Sequence, residues 1–269
     1  MLRRARYRAA ASGSSGDYGV DVMTLLLAQI SDLHLDGSER ATRRAERVMN
    51  HLRALPRRPD AVLVTGDIAD HGEEAEYEEA ARLLKAPFPV YLCPGNHDER
   101  SAYRTVLLSE PPGDGPVNRA HHVPGAVILM CDSTVPGRDE GRLAPETLDW
   151  IDATLSGLAE GTPALLAFHH PPVTVHHPLP DTWPLQETGD LAALLDAHPR
   201  VVALLTGHAH TAAASAFAGR PVIVSPAVTW TLRLPWEGDE PADRDRPPGL
   251  AYHVLDDDHR LTTHFRVVL

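Results

Sequence analysis

From Leu25 onward the chain alternates short unbroken apolar runs with segments whose apolar residues recur every three or four positions. Unbroken runs read as strands buried on both faces and the helical periodicity as amphipathic helices. Their alternation predicts a mainly parallel sheet covered by helices. Leu25–Ile30, Ala61–Thr65, Val90–Cys93, Val127–Met130, Ala164–Phe168 and Val201–Leu205 are the expected strands. Between them, Ala41, Ala45, Val48, Met49, Leu52 and Leu55 keep helical spacing behind Ser38 as a cap, and Tyr77, Ala80, Ala81 and Leu84 mark a second helix. Pro145–Leu158 and Leu191–Ala197 predict two more helices. After Ala212 only short β-like pieces remain, at Pro221–Val224, Val228–Leu232, Tyr252–Leu255 and Thr262–Val268. The expected fold is α/β, a sandwich of two mixed β-sheets flanked by helices. It forms one domain over residues 23–269, with 212–269 as a β-rich C-terminal part.

Residues 1–22 break this pattern. Arg3, Arg4, Arg6 and Arg8 lead into Ser12-Gly13-Ser14-Ser15-Gly16 without periodicity. A secretory signal needs an apolar segment of about 7–15 residues, which Ala9–Ala11 does not supply. A disordered extension ahead of Met23 is expected.

Composition narrows the function. A chain of 269 residues with 43% apolar content can bury a sizeable core. Its longest apolar stretches fall well short of the about 20 residues a membrane span requires, so no membrane partner is expected. A formal charge of −12 argues against a basic footprint for nucleic acid polymers. Small phosphate ligands remain compatible with it, because bound cations reverse the field locally. Cys93 and Cys131 lack metal-knuckle spacing, which disfavours a disulfide framework and fits a cytoplasmic protein. Cys93 reads as a small buried hydrophobe.

Five polar clusters each close an apolar run: Asp32-Leu33-His34, Gly66-Asp67, Gly95-Asn96-His97-Asp98, His169-His170-Pro171-Pro172 and Gly207-His208-Ala209-His210. Each alone is an ordinary turn or cap. Together, at the carboxyl ends of strands, they can converge in the crevice where α/β sheets bind ligands. Nitrogen and oxygen donors without sulfur suit two divalent cations and the hydrolysis of phosphate esters, with manganese, iron or zinc favoured over magnesium or calcium. Spacing alone leaves open which of His169 and His170 reaches a metal.

These motifs resemble the signature of the calcineurin-like metallophosphoesterase superfamily from Met23 to His210. The strings Gln29-Ile30-Ser31-Asp32-Leu33-His34, Gly66-Asp67-Ile68-Ala69-Asp70 and Pro94-Gly95-Asn96-His97-Asp98, with His169-His170-Pro171-Pro172 and Pro247-Pro248-Gly249, are most similar to class III cyclic-nucleotide phosphodiesterases. The resemblance implies that Asp32, His34 and His210 hold one metal, that Asn96, His169 and His208 hold the other, and that Asp67 bridges them. His169 is preferred to His170 because the superfamily places its ligand two residues before the proline. Iron and manganese are the implied metals, and a monomer or homodimer the implied assembly. His97 is the implied acid for the leaving alkoxide, its contrary reading being a residue that only orients a neighbour.

Two divalent ions against Asp32, Asp67 and a shared hydroxide leave the site at about +1, matched to a singly charged phosphodiester. Coordination lowers the pKa of water towards neutrality, so no separate strong base is needed. The expected activity is metal-dependent hydrolysis of a small phosphodiester, 3′,5′-cyclic AMP to 5′-AMP. The alternative is a glycerophosphodiester or another phosphoester. A protein-interaction scaffold has no need for the intact residue set, and a nuclease would need a basic groove.

Asp70 and Asp98 read as hydrogen-bond acceptors or turn residues rather than direct ligands, with carboxylates able to fix imidazole tautomers. Pro171–Glu187, a long stretch without periodicity, is expected to border the substrate pocket, with His176 and His177 as exposed loop residues. Trp230 and Trp236 are expected to pack the tail, and Glu237–Arg246 to be a solvated loop.

Overall fold

Parallel pairing brings the ends of the central strands to one crest. In the computed structural model, which describes residues 24–269, Leu25–Ile30 pairs parallel with Ala61–Thr65, and that strand with Val90–Cys93. Ile30 stands opposite Val64 and Thr65 opposite Cys93, so Asp32, Asp67 and Asn96 follow strands that end side by side. In the second sheet Ala126–Met130, Ala164–Ala167 and Val201–Thr206 are likewise parallel, releasing His169 and His208 at the same edge. The expected extension, residues 1–22, lies outside the described residues.

Antiparallel strands complete both sheets, which makes them mixed. One runs in the order Leu261–Val267, Gly249–Leu255, Leu25–Ile30, Ala61–Thr65, Val90–Cys93. The other runs Ala213–Phe217, Arg220–Val224, Val201–Thr206, Ala164–Ala167, Ala126–Met130, Arg119–Val123. Alternate side chains sort into layers. Leu25, Leu27 and Leu63 meet Ile128, Met130, Leu165 and Leu205 between the sheets. Ala28, Ile30, Val62 and Val64 pack outward under helices Glu39–Arg53 and Glu74–Leu83. Leu129, Leu166 and Leu204 pack under Pro145–Ser156 and Thr188–Ala197. Burial on both faces explains the unbroken apolar runs, each large side chain contributing about 1.5–3 kcal/mol.

Ser38 caps the first helix as expected, its side chain accepting the Ala41 N–H at 3.3 Å. Arg119–Val123 and Ala213–Phe217 are strands the periodicity did not reveal. Both are edge strands with half-exposed, mixed side chains. Within the expected strand Val228–Leu232, only Thr231–Leu232 is extended, and it pairs with Ala242–Asp243. The charged run Glu237–Arg246 is therefore partly ordered by pairing and is not simply a solvated loop.

Candidate metal centre

The loops that carry the polar clusters turn sharply as they leave the strands. Asp32, His34, Asp67, His208 and His210 all have positive φ, between 44° and 68°. Asn, Asp and His tolerate this left-handed region better than other residues bearing a Cβ. The Asp32 N–H donates to the Gly66 carbonyl at 3.1 Å and the His34 N–H to the Asp67 carbonyl at 3.0 Å, tying the first two loops together. Gly95 permits their close approach, since a Cβ there would lie 2.2 Å from Asp67 Oδ1 and 2.3 Å from the Asp67 nitrogen.

Each of four imidazoles commits one ring nitrogen to an oxygen acceptor and leaves the other free. His34 Nδ1 lies 2.7 Å from Asp70 Oδ1 and His210 Nδ1 lies 3.2 Å from the Trp230 carbonyl. Both partners accept, so each Nδ1 carries the hydrogen and the two Nε2 lone pairs face one another at 3.1 Å. His169 Nδ1 donates to the Thr65 carbonyl at 2.7 Å, which leaves its Nε2 3.2 Å from Asp67 Oδ2. That Nε2 and Asp32 Oδ2 are buried with no hydrogen-bond partner. His208 Nε2 donates to the Trp183 carbonyl at 3.1 Å, which turns the Nδ1 lone pair towards Asn96 Oδ1 at 3.1 Å. Lone pair against lone pair in a buried site is repulsive, and an orphaned acceptor costs about 1–3 kcal/mol. Cations between these atoms remove both penalties, so the residues present fit a metal centre.

The donor atoms of Asp32, His34, Asp67 and His210 lie within 4.8 Å of one another, and those of His169, His170 and His208 form a neighbouring group. Asp67 Oδ2 stands between the two, 3.4 Å from His34 Nε2 and 3.2 Å from His169 Nε2. His170 spends both nitrogens elsewhere: Nε2 donates to the Asp139 carbonyl at 3.1 Å and Nδ1 accepts from the Ser133 hydroxyl at 2.9 Å. Of the two adjacent histidines, only His169 presents a free nitrogen.

Charge coupling is strong. Burial works to raise the Asp67 carboxyl, yet His169, His34 and His97 outweigh it and hold Asp67 well below the usual range. Burial pushes Asp32 up to about 6, assisted by the Asp67 charge against the pull of His169. Burial alone would lower His169, but Asp67 and Asp32 raise it to about 9. His208 falls to about 3 through burial and repulsion from His169.

The remaining singled-out residues frame this cluster. Asp98 accepts the backbone N–H groups of Gly95, Ile68 and Ala69, binding the second and third loops together. His97 has its Nδ1 2.8 Å from the Asp70 carbonyl, and its ring meets that of His34 edge-on at 4.5 Å. A cleft of about 120 Å³ opens over the donor atoms, lined also by His97, Leu179, Trp183 and Trp230. Pro171–Glu187 thus contributes to the cleft wall. It also contains a 3₁₀ turn at Pro180–Thr182.

Two expectations are corrected. His177 is buried rather than exposed, because its N–H donates to Asp181 Oδ2 and its Nδ1 accepts from the Leu179 N–H. Trp236 is 72% exposed and packs nothing of the tail, whereas Trp230 stacks on His34 at 5.1 Å. The backbone carbonyls of Thr65, Trp183 and Trp230, which orient three imidazoles, carry no side-chain signal that a sequence could display. Ser133 likewise stood outside every motif.

A sandwich of two mixed sheets with a His/Asp cluster at the strand ends defines a metal-dependent phosphoester hydrolase. Residues 25–212 match the family described as calcineurin-like phosphoesterase, and the chain belongs to that family. It is 34% identical over 247 residues to a cAMP/cGMP dual specificity phosphodiesterase of Mycobacterium tuberculosis, covering 86% of this chain and 76% of that protein. It is 30% identical over 241 residues to a glycerophosphodiester phosphodiesterase of Enterobacter lignolyticus, covering 85% and 86%. In fold it is similar to a dimetal phosphatase from Danio rerio, with a TM-score of 0.68 at 14% identity over 91% of this chain and 96% of that one. Among the described residues no helix is long and apolar enough to cross a membrane.

Proposed function

We propose that the chain is a dinuclear metallophosphodiesterase that opens 3′,5′-cyclic AMP to 5′-AMP, with iron or manganese as its metals. Asp32, His34 and His210 would hold one cation, Asn96, His169 and His208 the other, and Asp67 both. The observation that carries this assignment is the position of Asp67 Oδ2 between the free nitrogens of His34 and His169, 3.4 Å and 3.2 Å away. When bound, the pair neutralises the phosphoryl oxygens and brings the pKa of water near neutrality.

The chain's own groups supply the rest. Asp70 and the carbonyls of Thr65, Trp183 and Trp230 fix the imidazole tautomers so that lone pairs point inward. His97 keeps Nδ1–H on the Asp70 carbonyl, and as an imidazolium it would pass the Nε2 proton to the departing oxygen and be left neutral. Its side chain is 39% exposed, so it can exchange that proton with solvent.

Comparison of manganese-dependent turnover of cyclic AMP, cyclic GMP, a glycerophosphodiester and bis-p-nitrophenyl phosphate tests the proposal. Cyclic AMP should be hydrolysed, and Asp67→Ala should abolish both turnover and stoichiometric metal binding. The relative from Enterobacter lignolyticus favours the second reading, a glycerophosphodiesterase. That reading replaces the first if cyclic AMP is inert while the glycerophosphodiester is cleaved.

A further inference from the structure

Two lobes adjoin Asn96, which lines both, one over the donor cluster and one beside it. The lobe over the histidines measures about 120 Å³ and must already accommodate the cations and a phosphate group. Its best stacking surface is taken, since Trp230 lies on His34 at 5.1 Å and carries the Arg244 guanidinium over its ring at 5.0 Å. Trp230 is thus engaged, and Trp183 is the other tryptophan lining this lobe.

The second lobe, about 260 Å³, lies between Glu99–Arg100 and the turn Thr134–Gly137. Arg100 fixes its walls, with one guanidinium nitrogen donating to the Asp114 carbonyl at 2.7 Å and another to the Thr134 carbonyl at 2.9 Å. The turn is held by the Arg138 N–H on the Val135 carbonyl at 3.0 Å, with Pro136 and positive-φ Gly137 at its centre. Three of the lobe's four charged side chains are already engaged, and the fourth, Asp114, is an exposed carboxylate. Asp98 and Glu99 accept backbone N–H groups, and Arg100 Nε lies 2.9 Å from Asp132 Oδ2. A site without an available cation admits a neutral group and offers nothing to a second phosphate.

We propose that this lobe binds the neutral organic substituent of the diester, the nucleoside in the case of a cyclic nucleotide. Val135 and Pro136 limit the size of that substituent. The inference rests on the phosphodiesterase reading above, and it places the base away from the tryptophans.

Thymidine 5′-(p-nitrophenyl phosphate) and methyl p-nitrophenyl phosphate share a leaving group and differ only in the substituent that stays on phosphorus. With manganese-loaded protein, Val135→Trp and Pro136→Trp should raise the ratio of their KM values at least tenfold in favour of the methyl ester. Calorimetric affinity for thymidine 5′-monophosphate should fall by a similar factor, with metal content and Tm unchanged. Leu232 lines the lobe over the histidines, and Leu232→Trp, which narrows it, should leave that ratio within twofold. The inference is overturned if neither turn variant moves the ratio, or if Leu232→Trp moves it instead. No manganese-dependent turnover of either ester by the wild-type protein removes the phosphodiesterase reading and this inference with it. Turnover with an unmoved ratio removes the inference alone.

Discussion

His253 gives the sharpest test of how the two sheets are joined beneath the metal centre. It is fully buried on the strand Gly249–Leu255. Its Nε2 lies 3.0 Å from Gln29 Oε1 and its Nδ1 2.8 Å from Thr263 Oγ1. Gln29 Nε2 donates to Thr65 Oγ1 and to the Thr206 carbonyl of the other sheet, both at 2.9 Å. The Gln29 carbonyl oxygen therefore needs the hydrogen on His253 Nε2, and the imidazole is held neutral. Burial pushes its pKa down to about 3 from the ordinary 6.5.

The sign of the pH effect follows. Between pH 6.5 and 3 the unfolded chain binds a proton at this position and the folded chain does not, so stability falls as pH drops through that window. Above pH 6.5 the contribution is complete. At about 1.36 kcal/mol per unit, acidification from pH 6.5 to 4.5 costs about 2–3 kcal/mol through this residue. His253→Gln retains a donor for Gln29 and does not titrate. Urea unfolding of both proteins in EDTA, from pH 7.5 to 4.5, should show the wild-type advantage at neutral pH shrinking by about 2–3 kcal/mol. A difference between the two proteins that stays constant across this range refutes the account of a buried neutral imidazole.

Three further outcomes are expected. His97→Ala should lower kcat on cyclic AMP by about 10²–10⁴ with metal content intact, and by much less on bis-p-nitrophenyl phosphate, whose leaving group departs unaided. Rate measurements on the two substrates decide it. His169→Ala should lose metal binding measured by calorimetry, whereas His170→Ala should retain it and lose about 1–3 kcal/mol of stability from the contacts with Ser133 and Asp139. Gly95→Ala forces a Cβ to within 2.2 Å of Asp67 Oδ1 and 2.3 Å of the Asp67 nitrogen. Overpacking of this kind costs about 1–3 kcal/mol, and manganese titration should show affinity weakened by about tenfold or more.

The central strands were legible because both faces are covered. Leu27 points between the sheets and Ala28 under a helix, so the run is apolar apart from Gln29, whose amide is satisfied by Thr65, Thr206 and His253. Arg119–Val123 escaped notice because an edge strand pairs on one side only and can carry Arg119 and His121 half-exposed and His122 exposed. The same limit applies to the site. Side chains able to donate to a metal announce themselves by type, but which of His169 and His170 keeps a ring nitrogen free depends on Ser133, 37 residues from His170, and on the Asp139 carbonyl. Trp230 and Trp236 look equivalent in sequence. Only the fold places the first against His34 and leaves the second in solvent.

Chain geometry explains why those residue types stand where they do. A loop leaving a parallel strand must turn back at once if its side chain is to point over the sheet's crest, and the left-handed backbone makes that turn. It costs a residue bearing a Cβ about 1–2 kcal/mol, least for Asn and Asp. Asp32, His34, Asp67, His208 and His210 all adopt it. Aspartate and histidine are at once among the residue types most frequent in that conformation and among the best metal donors. At each of these strand ends one substitution would thus both relieve backbone strain, if to glycine, and delete a donor atom. Strain that persists at five donor positions around one cluster, where glycine would relax it, is what a site shaped for ligand binding looks like.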